Sequence, residues 1–316
     1  MVAYIARRVA YLIPTWIGIT LLAFFLVRLA PGDAAHSYFV RVHDRQPNQA
    51  ELASTRARLG LDRPLPIQYL DWLGGAVRGD LGTSYYSGRE VTDELVSRFP
   101  ATLQLATAAT LITLVIAIPL GVVAAIRRNS LLDHLLRVAA LLGASVPAFW
   151  LALLLIIVFS VELQWLPALG RDGLQHLVLP ALALALGEAA VVARLMRSSL
   201  LEVLGEDYIM TARAKGVPER RVVIRHALRN SLGAVVTEVG MVFAILLAYS
   251  AVIEIIFVWP GIGRLAVEAI GQRDYTMLQG FVVFSGTVFV LVSLVVDLVY
   301  LWLDPRVALA QGRGVR

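Results

Sequence analysis

What most constrains this chain is the spacing of its charges: apolar blocks of about 20 residues, free or nearly free of ionisable side chains, recur along the sequence. A helix of about 20 residues, at 1.5 Å per residue, crosses roughly 30 Å of hydrocarbon. Charged residues make up only 16% of the chain and hydrophobic ones 58%, whereas an ordinary soluble domain is about 25% charged. A water-soluble fold is therefore excluded, and the expected class is all-α, a polytopic membrane helical bundle. The absence of cysteine excludes disulfides, thiolate metal sites, iron–sulfur clusters and thiol catalysis.

Six spans are expected. The first, Val9 to Val27, follows Arg7 and Arg8 and is too long for the apolar core of a secretory signal. It reads as an uncleaved helix, with Arg28 snorkelling to the interface. The polar stretch from Pro31 to Pro100 holds nine acids and eight arginines, too mixed in sign for a nucleic-acid surface, and reads as a lumenal or periplasmic segment of short helices. Within it Asn48 and Glu51 suit a capped helix stopped at Gly60, and Pro64 or Pro66 can open another. Val91, Leu95 and Phe99 recur every four residues, a greasy face suited to the membrane surface before Pro100 turns the chain inward, or to packing among short helices. The later spans are Ala101 to Ile126, Val138 to Val161 with a kink at Pro147, Leu174 to Ala193, Leu232 to Ile253, and Met277 to Val296. The segment between the last two, Glu254 to Tyr275, is too polar to face lipid and can enter the membrane only where protein covers it. The chain thus divides into residues 1–30, the N-terminus and first helix; 31–100, the segment of short helices; 101–303, the transmembrane core with a loop at 194–231; and a tail at 304–316.

Cations fix the expected orientation, because short loops rich in Lys and Arg stay in the cytoplasm. Sixteen fall on the side of both termini and three on the other, Arg171, Arg264 and Arg273. Both termini are therefore expected in the cytoplasm of an inner membrane, with the long first loop outside.

Of the sixteen, eight lie between residues 194 and 231. Residues 206–215 are good helix formers with acids at the start, Gly216 suits a C-terminal cap, and Pro218 can open a second helix through Arg225. A helix, a sharp turn and another helix, projecting from two adjacent spans, form a compact basic element suited to take force from a soluble partner. Ala212 and Gly216, four apart, offer a small-residue face. A bland reading, a solvated loop anchored by arginines to lipid head groups, competes with it.

The run Tyr208 to Gly216, with His226-Ala227-Leu228-Arg229-Asn230 after it, resembles the coupling loop of binding-protein-dependent ABC importer permeases, in the branch that carries peptides and nickel. The resemblance extends over nearly the whole chain, through Gly32-Asp33, Leu59-Gly60-Leu61-Asp62-Arg63-Pro64, Gly79-Asp80-Leu81-Gly82, Pro100-Ala101-Thr102, Leu179-Pro180-Ala181, Trp259-Pro260-Gly261-Ile262-Gly263 and Asp304-Pro305-Arg306. Where the wider superfamily begins the loop Glu-Ala-Ala, this chain has Met210-Thr211-Ala212, as its branch does. The resemblance implies a type I importer permease fold and a non-enzymatic transport subunit. It also implies a homologous second permease, two ATPase subunits, a periplasmic substrate-binding protein and surrounding lipid as partners, without nucleic acid. Its ATPase-coupling interface would be Tyr208, Thr211, Ala212, Arg213, Ala214, Lys215, Gly216, Val217, His226 and Arg229. No cofactor is expected on the chain itself, with ATP and Mg on the partner subunits. The residues agree: a P-loop ends in Gly-Lys-Ser/Thr, and the only lysine, Lys215, lies between Ala214 and Gly216.

Two intramembrane carboxylates, Glu188 and Glu238, lie about 10 Å in from the cytoplasmic ends of their spans. Such groups are costly unless they face a cavity or a partner, so they either line the transport path or pair with Arg194, Arg229 or a lipid-facing rim. Glu254 and Asp297, nearer span ends, read as structural. His176 is a weak nickel-ligand candidate and no ligand cluster accompanies it. Leu52-Ala53-Ser54-Thr55-Arg56 and Leu163-Gln164-Trp165-Leu166-Pro167-Ala168 resemble nickel permeases more than dipeptide ones, which places nickel or a nickel chelate first as cargo and di- or oligopeptides second. An ATP-independent secondary transporter is the rival from another class, although the paired interrupted helices usual there are absent from the pattern.

Overall fold

The computed structural model describes residues 2–29 and 33–303. The motif residues Gly32, Asp304, Pro305 and Arg306, the tail cations Arg313 and Arg316, and the side chains of Arg7 and Arg8 lie outside the described residues. Among those described the chain is all-α, with one isolated bridge between Thr83 and Glu90.

Four helices are long and apolar enough to span: α5, Val91–Ile126; α8, Leu174–Leu204; the continuous run Glu219–Tyr249, formed of α10, Glu219–Arg221, a π-helical stretch Val222–Ala227 and α11, Leu228–Tyr249; and α14, Tyr275–Leu303. Helix α1, Val2–Leu29, contributes a shorter apolar stretch, Ala10–Leu26. Between α5 and α8 lie α6, Leu131–Ser145, and α7, Ala148–Leu155, which continues as a π-helix to Glu162. The expected kink at Pro147 is a break, since α6 and the α7 run meet at 100°. Pro147 lacks an N–H and disfavours helical geometry at Val146, whose ψ of 124° is extended, so the i→i−4 ladder cannot pass through.

The described residues divide into two compact units, 2–29 and 33–102 with 260–291, and 103–259 with 292–303, the division falling within α5 and within α14. In the first unit α2, Ala34–His43, α3, Gln49–Arg58, and α4, Leu65–Val77, accompany α1. Asn48 and Glu51 form the reciprocal capping box that their spacing predicts, and Pro64 opens α4. Val91 and Leu95 are fully buried with Leu81, Ile262, Leu265 and Met277, and Phe99 packs against them. Of the two readings of this four-residue stripe, packing among helices is the one observed. Nor does Pro100 turn the chain, because α5 starts nine residues earlier and runs through it. A single buried side chain of this size contributes about 1.5–3 kcal/mol, enough to hold the stripe in a protein core. Helix α13, Ile262–Gly271, completes this unit.

In the second unit α8 packs against α6, α7 and α11. Asp133, fully buried, receives hydrogen bonds from Arg197 Nε and Nη2, both at 2.8 Å, and from the Asn129 N–H at 3.0 Å, which locks the start of α6 to α8. The short α12, Ala251–Ile256, carries Glu254, which is fully buried and accepts a 2.9 Å bond from Ser250, in keeping with its structural reading.

Candidate functional site

Between α8 and the Glu219–Tyr249 run sits the short helix α9, Asp207–Ala214. Helix α8 continues 11 residues past Ala193, the expected end of its span, and the helix after Pro218 does not stop at Arg225 but runs on as the next span. The expected 38-residue loop is thus mostly rigid helix, and what lies between the two long helices is Gly205 to Pro218.

The end of α9 is set by glycine. At Gly216 φ is +77°, the left-handed region open to a residue without Cβ. Its N–H donates to the Arg213 carbonyl at 2.9 Å and the Val217 N–H to the Ala212 carbonyl at 3.2 Å, the paired bonds of a Schellman cap. Pro218 then opens the next helix, so α9 reverses into it across Lys215, Gly216 and Val217.

Three contacts hold α9 to its neighbours. Ile209 is fully buried, as are Val222 and Ala227 opposite, and α9 packs on the π-helical stretch that carries them. Arg213 closes a two-pronged ion pair with Glu219, Nε to Oε2 at 3.0 Å and Nη2 to Oε1 at 2.7 Å. Asn230 Nδ2 donates to the Tyr208 hydroxyl at 2.7 Å. Glu219 and Asn230 as partners of α9 did not emerge from the sequence reading. A six-residue separation across a Gly-Val-Pro turn, opposite in charge, was the available signal for the first.

Of the ten residues expected at the coupling interface, Tyr208, Thr211, Arg213, Ala214, Lys215, Gly216 and Arg229 are exposed, while Ala212, Val217 and His226 are half-buried. Tyr208 and residues 211–217 lie on α9 and its turn; His226 and Arg229 stand on the following helix. The Thr211 hydroxyl donates to the Asp207 carbonyl at 2.9 Å within α9. Lys215 has no ion-pair partner among the described residues. What this arrangement can do is mechanical: a solvent-facing handle is clamped by a buried isoleucine and a bidentate ion pair to the end of a 31-residue helix.

Glu188 on α8 and Glu238 on α11 are half-buried and interact electrostatically across the contact of those helices. Among the described residues neither forms an ion pair, so the pairing with Arg194 or Arg229 is not observed. His176 is half-buried, its Nδ1 without a hydrogen-bond partner, and among the described residues no three His, Cys, Asp or Glu side chains converge on a metal-sized space.

Two family descriptions match the chain: a binding-protein-dependent transport system inner membrane component over residues 117–309, and the N-terminal part of such a membrane component over residues 1–106. The chain is 42% identical over 335 residues to a di/tripeptide transport system permease protein of Pseudomonas aeruginosa, covering 97% of this chain and 99% of the relative. It is 43% identical over 307 residues to a glutathione transport system permease protein of Escherichia coli, with the same coverage. Among solved structures, an inward-facing MetNI methionine ABC transporter aligns with a TM-score of 0.58 at 22% identity, over 66% of this chain and 96% of the other. The shared fold is that of a type I ABC importer permease.

Proposed function

The chain belongs to the binding-protein-dependent transport system inner membrane components, a permease subunit of an ABC importer, and from that premise we propose that it forms half of a translocation pathway for short peptides. A periplasmic binding protein delivers the cargo, a second permease completes the pathway, and two ATPases receive α9 and its turn in their clefts. Tyr208, Thr211 and Ala212 to Val217 make that contact, with His226 and Arg229 at its edge, and Glu188 and Glu238 line the inner half of the path. ATP and Mg bind the motor subunits.

The observation that carries the coupling role is the rigid attachment of α9. An element that merely anchored lipid would not need a buried Ile209, a Schellman turn and the Arg213–Glu219 clamp to fix it on the next span. Peptide cargo is supported by relatives named for di/tripeptide and glutathione transport. Nickel or a nickel chelate, favoured by the motifs at residues 52–56 and 163–168, is the second reading.

Two measurements test this. Affinity purification of the full chain from its own membranes is expected to bring down P-loop ATPase subunits; reconstituted ATP-independent transport by this chain alone would replace the importer reading with a secondary transporter. A strain lacking the gene is expected to lose sensitivity to a toxic dipeptide and keep uptake of radiolabelled nickel. Lost nickel uptake with retained peptide sensitivity would restore nickel to first place.

A further inference from the structure

A cavity of about 310 Å³ lies within the second unit, between α5, α6, α7 and α8. Small residues open it: Gly121 and Ala124 on α5, Ala140 and Gly143 on α6, and Ala190 and Ala193 on α8 leave the facing helices without side chains long enough to fill the space between them. Among the described lining residues the side chains are aliphatic or aromatic, except for three arginines. Leu120 and Trp150, both exposed, mark where the cleft opens to its surroundings.

The arginines are gathered at one end. Arg137 stands on α6, and Arg194 and Arg197 on α8. Arg197 bonds to Asp133 near the start of α6, while a Cβ on Gly143, near its end, would stand 3.5 Å from that of Ala190. The two helices therefore run antiparallel, and all three cations lie toward the start of α6, the end that the cation count assigns to the cytoplasm. Asp133 is the one carboxylate they share: it holds Arg197 through two bonds of 2.8 Å and lies 3.7 Å from Arg137 Nε. Arg194 has no ion-pair partner among the described residues. The Arg197 side chain is only 20% exposed and Asp133 is fully buried, so the charged end is built on a fixed core contact. One carboxylate leaves two guanidinium charges uncompensated beside an apolar cleft.

We propose that this cleft binds one anionic phospholipid, an acyl chain lying along the small residues and the phosphate resting against Arg194 and Arg137. An apolar trough with a cationic end matches an acyl chain with an anionic head group, and neither half of the site accounts for the other without such a ligand. Guanidinium groups pair with phosphate through strong, charge-assisted bonds, and basic pockets between spans on the cytoplasmic side are suited to anionic head groups. A helix of a second permease, about 10 Å across, is too wide to seat itself in this volume, whereas a single acyl chain is not.

The test is photolabelling in native membranes that hold the whole importer, with phosphatidylglycerol or phosphatidylcholine carrying a diazirine midway along one acyl chain, and the labelled residues mapped by peptide mass spectrometry. Expected is labelling of the cleft, at Leu120, Gly143 or Trp150, at least fivefold stronger from phosphatidylglycerol. The double variant Arg137→Gln with Arg194→Gln should bring the two lipids to within twofold of each other. Gly143→Leu, whose Cβ meets only ordinary contacts, should lower labelling by both severalfold with a thermal midpoint within a few degrees of the parent. Inorganic phosphate should not compete; displacement by it would show a plain anion site and overturn the lipid. Equal labelling by the two lipids in the parent chain would leave the arginines without a role and overturn the proposal. So would a cleft labelled by neither lipid, the result expected if the second permease covers it.

Discussion

At Gly216 the backbone is held in a conformation that costs an L-residue about 1–2 kcal/mol, yet an added Cβ would meet nothing within 4 Å. The demand on this position is therefore conformational, not steric. Gly216→Val is expected to insert normally in the membrane while disturbing the turn, cutting ATPase co-purification severalfold. Gly216→Asn, which tolerates the left-handed region, should keep most of it; equal loss in both variants would place the effect in contact chemistry. A second residue-scale expectation concerns Glu51. Its bonds from Arg45, and then from the Asn48 N–H, hold its carboxyl down to about 2, below the usual 4.5. A depressed carboxyl stabilises the fold above its ordinary value and loses that contribution as the pH falls through the folded one. Protection factors of the α3 amides, corrected for the intrinsic pH dependence of exchange, should therefore fall between about pH 4.5 and 2, and Glu51→Gln should flatten that dependence.

Among elements, α5 and α8 approach closely in the second unit. A Cβ on Gly121 would stand 2.6 Å from Met196 Cβ and 2.7 Å from the Ala193 carbonyl, and backbone oxygen cannot step aside as a flexible side chain does. Gly121→Leu is expected to cost about 1–3 kcal/mol from overpacking, read as a lower thermal midpoint in detergent; an unchanged midpoint would show that the helices part freely. Element-level features were also the most legible in sequence. Turn and cap chemistry is local, so Gly216, Pro218, Asn48, Glu51 and Pro64 announced themselves. Three things were not local. The break at Pro147 and the free passage of α5 through Pro100 begin from the same residue type, and neighbouring packing decides between them. The stripe Val91, Leu95, Phe99 showed a greasy face without saying what covers it, and its cover, Ile262 and Leu265, arrives from about 170 residues away. The buried Asp133 and its partner Arg197 meet from 64 residues apart, with no spacing to mark them.

For the molecule as a whole, the cation count assigns sides to the loops, and the lack of cysteine makes that directly testable on the native background. Single variants Lys215→Cys and Gln164→Cys are expected to react with a membrane-impermeant maleimide from opposite faces, Gln164→Cys in intact spheroplasts and Lys215→Cys only after lysis. Labelling of both from one face would overturn the assigned path, and exchanged faces would invert it. The reach of α9 also belongs to this scale. Glu219 to Tyr249 is one rod about 46 Å long at 1.5 Å per residue, and its grip on α9 begins at its very first residue, through Arg213. Handle and shaft thus share no slack: under the proposed coupling, a motor that tugs on Tyr208 tugs on the membrane interior, and one that lets go releases it in the same stroke.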